Sequence, residues 1–585
     1  LGLLGWIKPI HQIIFLIILA ILSFTNSIAI VKECFRNLGR IKAEWQNFSF
    51  LQKLILVAGI LVLLLAFIQT LTPPWDYDGL MYHLQGPRLF LESGKLLPIP
   101  ENWFTYYPST WEMLYMLGMG LGNDIFARLI HFSTLLLFIL STYAFGKRFL
   151  PEPGGWIAAA MIVGMPIMLL WGMFAYTDIA WALFQFLAVA LMLVWSQEKN
   201  LQHLILSGIF QGLALGSKYL AFYGVVILVL CIVWLSWRTK EWHKWKRTPK
   251  NVLIFGIASM IVALPWYLKN YLWTGNPVFP FYLPQNIIDP TEVRLVMDYV
   301  NSFGTGKRWF DYILLPFTIY VKFEKFGTFA GSMDIPNPIF LFVLAYPLTR
   351  IKISKKNQSV LDILVVVTAL QFTAWAMGSQ QNRFLMPLYP GLSIIASAVI
   401  LNLRGKVKKV RWDRVIAVSG VGGMVIVSLI FMWQYMLLIQ PYQVVLGIKT
   451  KSDFLSSIVN DFPAIHYINQ ELPETAMVFF PWDGRGYYCS GKCYPDISQS
   501  RWPALVQKAE GLGDVNAYLQ ENQFTHILFS KEDAYFFVFD HDPNNNHLRA
   551  LEFLQNDFLP KCAEEIYADD ATHIYELKLH NELCQ

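Results

Sequence analysis

Charged side chains are scarce in this sequence, and cysteine is rarer still. Asp, Glu, Lys and Arg make up 15% of the 585 residues and six residues are cysteine, whereas 55% are hydrophobic. The mean hydropathy is positive, and one water-soluble core cannot bury so large an apolar fraction. The composition therefore excludes an ordinary soluble domain and indicates an α-helical polytopic membrane protein.

The chain also lacks the strong basic excess that many nucleic-acid-binding proteins carry. Its formal net charge of +5 combines two parts of opposite sign: residues 1–440 hold 36 Lys and Arg against 20 Asp and Glu, and residues 441–585 hold 10 against 21. A basic membrane part is thus followed by an acidic, water-soluble part. We expect no nucleic-acid partner.

Twelve apolar segments have, or approach, the length that a membrane-spanning helix needs. They lie at 10–31, 53–72, 124–146, 155–172, 178–196, 203–217, 219–237, 251–268, 337–349, 358–377, 385–403 and 415–438. The segments 203–217 and 337–349 are short enough to tilt or re-enter. Losing just one of them would invert the topology, so we expect both to span or neither.

The basic residues predict which side each loop faces. Alternate loops hold 24 of the 46 Lys and Arg, and these loops lie at 32–53, 147–148, 199, 238–250, 350–356 and 404–414. By the positive-inside rule they are cytoplasmic. The loops 73–123 and 269–336, Arg383 and everything after about 440 then share the outer face of a plasma or inner membrane.

We therefore divide the chain into three parts. Residues 1–50 form an extra N-terminal transmembrane helix with a cytoplasmic loop, residues 51–440 form the main transmembrane domain, and residues 441–585 form a soluble extracytoplasmic domain. Apolar runs at 476–480 and 525–530, separated by helical stretches, predict an α/β fold for the last part.

Four of the six cysteines fall in this last part, at Cys489, Cys493, Cys562 and Cys584. An even number in a compartment that permits oxidation favours disulfides or free thiols. Cys489 and Cys493 could instead form half of a zinc site, but the sequence offers no matching second pair of Cys or His.

Two carboxylates one residue apart, Asp76 and Asp78, follow the apolar segment 53–72 directly after two prolines. Paired acids at a membrane exit point to chemistry or binding there. The alternative is a solvated loop whose acids merely face water. Chemistry is favoured because the same loop continues into the aromatic cluster 103–107, which an ordinary hydrophilic connection has no reason to carry.

Five further motifs follow the acids in order along the chain. They are Asp124-Ile-Phe-Ala-Arg128-Leu-Ile-His131, Tyr176-Thr177-Asp178, Gly212-Leu-Ala-Leu-Gly216-Ser-Lys218-Tyr219, Pro265-Trp266-Tyr-Leu-Lys269-Asn270 with Thr274-Gly-Asn-Pro-Val-Phe-Pro280, and Asn382-Arg383-Phe-Leu-Met-Pro387-Leu-Tyr-Pro390. Together with the outer acids and the Tyr107-Pro108 segment, this order resembles the GT-C glycosyltransferase superfamily. Within it, the chain is most similar to the branch of the protein O-mannosyltransferases and the aminoarabinose transferase of lipid A. The resemblance covers roughly 50–440, and the C-terminal part more loosely.

The resemblance implies a membrane enzyme that moves a sugar from a polyprenyl-phosphate carrier to a glycan, lipid or protein acceptor at the outer face, with inversion. It makes 51–440 the catalytic domain, working among membrane lipids. Two positions depart from the family pattern. The family commonly has an adjacent Asp-Glu where this chain has Asp76-Tyr77-Asp78. Its Lys-Pro-Pro segment is replaced by Tyr106-Tyr107-Pro108, which removes an expected anion-binding lysine.

Glycosyl transfer requires a base for the acceptor and stabilisation of the phosphate leaving group, in a site that excludes water. A carboxylate at the aromatic-lined mouth of a membrane cavity is partly desolvated, which raises its basicity. Asp78 or Asp76 is therefore the candidate base, and Asp78 is favoured because it lies nearer Tyr82 and His83. The two acids could also hold Mg²⁺ or Mn²⁺.

Cations at the outer ends of the spans are candidates for binding the donor phosphate. Arg383 and Lys218 are best placed, and Arg88 and His83 rank second. Other residues of the outer loops and helix ends are predicted to line the substrate cavity: Tyr82, Tyr106, Tyr107, Glu112 and Asp178. Plainer alternatives exist, since Arg383 and Lys218 could extend to lipid headgroups and Asp178 could cap the helix that it begins.

Two functions of other classes stay open at this point. A polysaccharide or lipid-linked glycan transporter would need polar residues along a path through the spans, whereas those here gather on one side. A glycan-binding or lipid-binding membrane scaffold without catalysis would have the same shape but no need for Asp76 and Asp78.

The charge pattern makes a prediction about topology. In intact cells or spheroplasts, a cysteine introduced at Lys409 should be shielded from membrane-impermeant thiol reagents, and one introduced at Asn545 should be labelled, because the alternate basic loops face the cytoplasm. The measurement is labelling before and after permeabilisation. Equal labelling of both positions in intact cells would contradict the twelve-span topology.

Overall fold

A computed structural model describes residues 7–238, 248–282, 285, 287–327, 334–349, 353–403 and 411–584. Helices dominate the first three quarters of the chain, and a small mixed sheet lies near its C-terminal end. The predicted fold class, a polytopic α-helical membrane protein with a C-terminal α/β part, is confirmed. Parts of the basic loops predicted to be cytoplasmic, 239–247, 350–352 and 404–410, lie outside the described residues.

Nine helices within the described ranges are long and apolar enough to cross a membrane. The spans are Ile10–Ala29, Phe50–Thr70, Asp124–Phe149, Asp178–Glu198, Tyr219–Ser236, Thr248–Thr274, Lys355–Met377, Asn382–Asn402 and Trp412–Ile439. A bent pair, Gly154–Val163 and Pro166–Met173, makes a tenth if the two helices, which meet at 64°, are counted as one broken span. The protein is therefore an integral membrane protein, and the predicted count of twelve spans is not confirmed.

The two weakest predicted spans form short helices. The segment 203–217 corresponds to the 15-residue α-helix Leu201–Leu215, and 337–349 corresponds to the 11-residue 3₁₀-helix Pro338–Leu348. Either helix reaches only about 22 Å, less than the roughly 30 Å hydrocarbon core. Both helices are therefore shorter than a full span, and their topology stays a prediction.

Two spans form the centre of the bundle. In Asp178–Glu198 and Asn382–Asn402, 78% and 89% of the most apolar window is buried inside the protein, against 6% for Ile10–Ala29. The central helices carry small and branched residues all round, so other helices can pack on every side of them. Because Asp178 and Arg383 lie at the ends of these two helices, packing brings both charged residues to the axis of the bundle.

Shorter helices connect the spans. They are Gln85–Ser93, Thr110–Leu121, Pro290–Ser302 and Trp309–Val321, with the π-helix Gly79–His83 and the 3₁₀-helices Pro100–Tyr106, Tyr219–Ala221, Phe323–Phe326 and Asn382–Leu388. The first helix of the chain extends past its apolar part to Pro9–Asn47. Phe222–Arg238 and Gly422–Ile439 are the α-helical parts of two of the spans.

The C-terminal part contains a five-stranded sheet in the order β2-β1-β3-β5-β4. Its strands are β1 Val478–Phe480, β2 Cys493–Pro495, β3 His526–Ser530, β4 Ala563–Ala568 and β5 Thr572–Leu577. β1 pairs in parallel with β2 and β3, and β5 pairs antiparallel with β3 and β4. The predicted apolar runs correspond to β1 and β3, whose side chains are all buried.

Helices cover this sheet and close its core. They are Lys451–Ser456, Phe462–Glu471, Arg501–Lys508, Leu512–Glu521, Lys531–Asp540, Asn546–Glu552 and Leu559–Cys562. The indoles of Trp482 and Trp502 are fully buried beside β1 and β3. Cys489 is bonded to Cys493 and Cys562 to Cys584, so the disulfide prediction is confirmed over the zinc alternative.

Candidate active site

The acid loop, residues 73–80, leaves the membrane where the helix Phe50–Thr70 ends. Pro73 and Pro74 lack the backbone N–H that would continue the helix, and Asp78 stands directly before the π-helix Gly79–His83. A π-turn places successive side chains differently from an α-helix and is frequent at functional sites. The two acids consequently point into different surroundings.

Asp78 is bound by one neighbouring residue and by residues from two distant parts of the chain. Its Oδ2 accepts a hydrogen bond of 2.7 Å from Nη1 of Arg383 and one of 3.3 Å from the Tyr82 hydroxyl. Its backbone N–H donates to the Tyr176 hydroxyl at 3.1 Å. The Asp78 side chain is 18% exposed and that of Arg383 is 23% exposed, so this ion pair faces an open space and is largely desolvated.

A second ion pair lies beside the first. Nζ of Lys218 donates to Oδ1 of Asp178 at 2.6 Å, and the Asp178 carboxyl is almost completely buried. The Phe384 ring separates the two cations, with Arg383 at 5.3 Å and Lys218 at 4.6 Å from its centroid. Arg383 also interacts electrostatically with Asp178. We name these two acids and two bases, Asp78, Asp178, Lys218 and Arg383, the charged cluster.

Asp76 is buried behind this cluster. The residue is 3% exposed, and neither carboxylate oxygen accepts a hydrogen bond from another described residue. Arg128 and His83 are the charged or titratable neighbours that favour its ionised form. A Cβ at Gly79 would lie 2.0 Å from Asp76 Oδ2, so only glycine leaves room for the carboxylate there. Burial raises the pKa of Asp76 to about 6.

His83 and Arg88 make contacts outside the charged cluster. Nδ1 of His83 lies 2.9 Å from Oε1 of Glu112, and its ring packs 4.1 Å from the Tyr82 ring. Arg88 donates to the backbone carbonyls of Tyr487 and Cys489 in the C-terminal part. The structure therefore places His83 and Glu112 in a layer next to the cluster, and Arg88 at the contact with the C-terminal part.

The predicted tyrosines form an aromatic wall. Tyr82 stacks on Phe104 at 4.5 Å, and Tyr107 packs edge-on against Phe104 at 5.2 Å and against Tyr219 at 5.3 Å. Tyr106 is buried on the far side of this wall, away from the ion pairs, and packs against aromatic rings of the loop 273–279. Tyr82 thus contacts the cluster directly through Asp78, while Tyr107 and Tyr106 belong to the aromatic packing around it.

Two buried cations had no role assigned from the sequence. Nζ of Lys269 donates to the carbonyls of Thr105 at 2.9 Å and Tyr107 at 3.2 Å, which brings an ammonium to the segment where the family lysine is missing. Arg128 is fully buried and donates to the Thr72 hydroxyl at 2.6 Å and to the Met173 carbonyl at 2.9 Å. The sequence did offer a sign of a functional role for Lys269 and Arg128, since each is a cation inside an apolar span.

A divalent cation does not fit Asp76 and Asp78 as they are arranged. Asp78 is bound by Arg383 and Tyr82, and Asp76 lies in the field of Arg128. Hard cations need several oxygen ligands directed at one point. The described ranges contain no group of three or more His, Cys, Asp or Glu that could hold a metal ion. We therefore assign no step to a metal here.

Comparisons with known proteins agree with this geometry. The sequence model of the dolichyl-phosphate-mannose-protein mannosyltransferase family matches residues 112–268. The crystal structure of ArnT from Cupriavidus metallidurans bound to undecaprenyl phosphate aligns with 91% of this chain and 99% of its own, at 14% identity and a TM-score of 0.51. The chain is thus similar to this mannosyltransferase family over 112–268, and its fold is similar to that of ArnT. The apo state of the same ArnT aligns with 90% of this chain and 98% of its own, at 12% identity and a TM-score of 0.52.

The resemblance predicted from the sequence is confirmed as a similarity to ArnT and to the protein mannosyltransferases. At 12–14% identity the structural likeness shows the fold. No curated protein sequence matches the chain. The fold and the family match together support a lipid-linked sugar transferase in general terms.

The burial of Asp76 makes a prediction about stability. An acid whose pKa is raised to about 6 in the folded state binds more protons folded than unfolded between about pH 4 and 6. Ionisation of Asp76 then destabilises the fold as pH rises through this window, by about 3 kcal/mol. The Asp76→Asn variant cannot ionise at this position. Its melting temperature in detergent should exceed that of the native protein by a difference that grows from pH 4 to 6 and stays constant above pH 6.

The control for this measurement is Asp570→Asn, which removes an exposed acid at the surface of the C-terminal part. Its melting temperature should follow the native pH dependence over that window. Parallel curves for the native protein and Asp76→Asn between pH 4 and 6 would contradict the buried, unpaired state of Asp76.

Proposed function

We propose that this protein is a membrane glycosyltransferase that moves a sugar from a polyprenyl-phosphate carrier to an acceptor at the outer membrane face, with inversion of the anomeric centre. The acceptor is a hydroxyl or amine of a glycan, lipid or protein. The domain 51–440 carries the reaction and the part 441–585 is extracytoplasmic. The GT-C fold and the undecaprenyl phosphate bound to ArnT in the similar structure support this class of donor.

The charged cluster is the observation that carries the proposal. Two cations, Arg383 and Lys218, contact the same aromatic ring, that of Phe384, at the end of the bundle. The partly exposed carboxylate of Asp78 lies beside them and faces the same open space. Cations in a poorly solvated site stabilise the charge that develops on a departing phosphate. The neighbouring carboxylate can accept the proton of the attacking acceptor. A scaffold has no use for this combination.

We assign the base to Asp78 and a supporting role to Asp76. A base must touch the proton that it removes. Asp78 is 18% exposed at the open side of the cluster, whereas Asp76 is enclosed and faces Gly79 and Arg128. In this assignment Asp76 and Arg128 fix the turn that holds Asp78, and they do not contact the substrate.

Arg383 connects donor binding to the release of the base. In the structure its Nη1 donates to Asp78, and its Nε donates to the side chain of Gln381 at 3.1 Å. A phosphate that enters the cluster competes with Asp78 for the guanidinium, which can bind two phosphate oxygens at once. Transfer of Arg383 to the phosphate frees Asp78 to accept the acceptor's proton. The base therefore becomes active when the donor is present.

An apolar groove suits the carrier's hydrocarbon chain. It is lined by Trp181, Tyr223, Trp375, Phe384 and Leu388, and it shares Phe384 and Trp181 with the surroundings of Lys218. Tyr223 is 42% exposed on the outer side of its helix, so the groove opens toward the lipid. An isoprenoid chain in this groove would bring its phosphate next to the charged cluster.

The proposed activity can be tested with a panel of carriers. Purified protein in lipid or detergent is incubated with radiolabelled polyprenyl-phosphate sugars, and transfer to an added membrane extract or slow hydrolysis to free sugar is measured. We expect turnover of one or a few carriers and none with nucleotide sugars. Turnover of nucleotide sugars alone would contradict the lipid-linked donor.

Arg383 provides the sharpest test of donor binding. Arg383→Ala should lower kcat/KM for the donor by about two orders of magnitude, because a charge-assisted pair in a poorly solvated site contributes about 3 kcal/mol. Arg383→Lys should recover part of the loss. Arg308→Ala removes an exposed arginine and serves as the control. Native donor kinetics in Arg383→Ala would reduce the residue to a lipid-headgroup anchor.

The two acids should respond differently to the same substitution. Asp78→Asn should retain donor binding and lose transfer by at least about a hundredfold, because the amide keeps the shape but cannot take a proton. Asp76→Asn should lose less. Adding EDTA and then Mg²⁺ or Mn²⁺ to the native protein tests the cation predicted from the sequence. Equal transfer by the native protein and the double Asn variant would remove both acids from the reaction.

A further inference from the structure

Tyr77 stands between the two acids and points away from them, into the C-terminal part. Its hydroxyl accepts hydrogen bonds from the Gly484 backbone N–H at 3.0 Å and from the side-chain amide of Gln499. The same hydroxyl lies 3.5 Å from Oδ1 of Asp483, to which it donates. The guanidinium of Arg485 lies 4.9 Å above the Tyr77 ring. The residue at the centre of the acid loop is therefore fixed by four groups of the C-terminal part.

Arg485 is in turn fixed by carboxylates from three separate segments of that part. It pairs with Asp533 at 2.7 Å, with Asp483 at 2.9 Å and with Asp461 at 3.3 Å. Its side chain is 13% exposed and those of Asp461 and Asp483 are fully buried. A guanidinium held from three sides cannot move without breaking buried charge pairs, which is costly. Arg485 thus forms a fixed surface on which the Tyr77 ring packs.

Two further contacts attach both ends of the acid loop to the same segment, 484–488. The Tyr487 backbone N–H donates to the Leu80 carbonyl at 3.2 Å, and the Tyr488 hydroxyl donates to the Pro74 carbonyl at 2.7 Å. The acid loop is consequently held at its start, its centre and its end. On its other side, the loop is held at Asp78 by hydrogen bonds to Arg383, Tyr82 and Tyr176.

We propose that Tyr77 is a positioning residue for sugar transfer, and that Arg485 acts through it, so that the C-terminal part completes the active site by holding Asp78 where the acceptor is deprotonated. This inference rests on the proposed function. It assigns the C-terminal part a direct role in catalysis. Tyr77 itself touches neither substrate nor reacting atoms.

Two measurements on Tyr77→Phe test the proposal. The first is transfer: kcat should fall about tenfold while donor binding stays within about twofold, because the phosphate-binding cations Arg383 and Lys218 are unchanged. The second is hydrogen–deuterium exchange of the amides of residues 75–84, which does not depend on activity. These amides should exchange roughly two to ten times faster, since the loss of the three hydrogen bonds of the Tyr77 hydroxyl releases the loop.

A matched control is Tyr567→Phe, which removes the 2.7 Å hydrogen bond between a tyrosine and Asp569 in the same part of the protein. Its kcat and its exchange over 75–84 should equal the native values. Combining Tyr77→Phe with Asp78→Asn should lower transfer no further than Asp78→Asn alone, because the two residues act in one unit. Arg485→Gln should also lower kcat and speed exchange over 75–84. If Arg485→Gln does not fold, the result for Tyr77→Phe decides the test.

Native kcat in Tyr77→Phe would overturn the positioning role, whether or not exchange changes. Additive losses in the double variant would do the same, since they would mean that Tyr77 contributes to transfer independently of Asp78. If the native protein uses no carrier of the panel, the proposed function fails. Exchange then decides separately, and native exchange of 75–84 in Tyr77→Phe overturns the attachment of the loop.

Discussion

The ion pair between Asp78 and Arg383 joins residues 305 positions apart in the sequence. Either charge alone would be expensive to keep in so poorly solvated a place, so the folded protein must bring the two together. Arg383 lies at the start of Asn382–Asn402, the most buried of the spans in the described ranges, and Asp78 directly precedes the π-helix Gly79–His83. The requirement to satisfy this pair therefore fixes the position of the central helix against the acid loop.

Charge balance gives the cluster its chemical character. Two carboxylates and two cations neutralise one another in the structure. In the proposed reaction the donor's phosphodiester leaves as a phosphomonoester with one more negative charge, and the base gains the acceptor's proton. One negative charge thus moves from the base to the departing phosphate, where the two cations of the cluster are placed to stabilise it.

The sequence predicted most of the components and little of their pairing. Asp78, Arg383, Lys218 and Asp178 were all identified because charged residues at the ends of apolar spans are unusual. That Arg383 meets Asp78 and Lys218 meets Asp178 follows from helix packing, which a single sequence does not encode in any local pattern. The role of Tyr77 was not predicted for the same reason, since its partners lie more than 400 residues further along the chain.

For the fold, too, the sequence predicted the segments better than their arrangement. Hydropathy located every segment of the bundle, but it could not distinguish a full span from the short helices Leu201–Leu215 and Pro338–Leu348, because apolar composition does not measure where a helix stops. In the C-terminal part, the apolar runs identified β1 and β3 correctly. The strand order depends on crossovers that alternation of polar and apolar residues does not reveal.

The broken helix pair carries a structural consequence. Its second member ends at Met173, and the carbonyls that follow have no next helical turn to bind them. Arg128 takes the carbonyl of Met173, His131 takes that of Phe174, and the Tyr115 hydroxyl takes that of Tyr176. The Tyr176 hydroxyl also accepts the backbone N–H of Asp78. The short segment 173–176 after the helix break is thus where hydrogen bonds join the span Asp124–Phe149 to the acid loop.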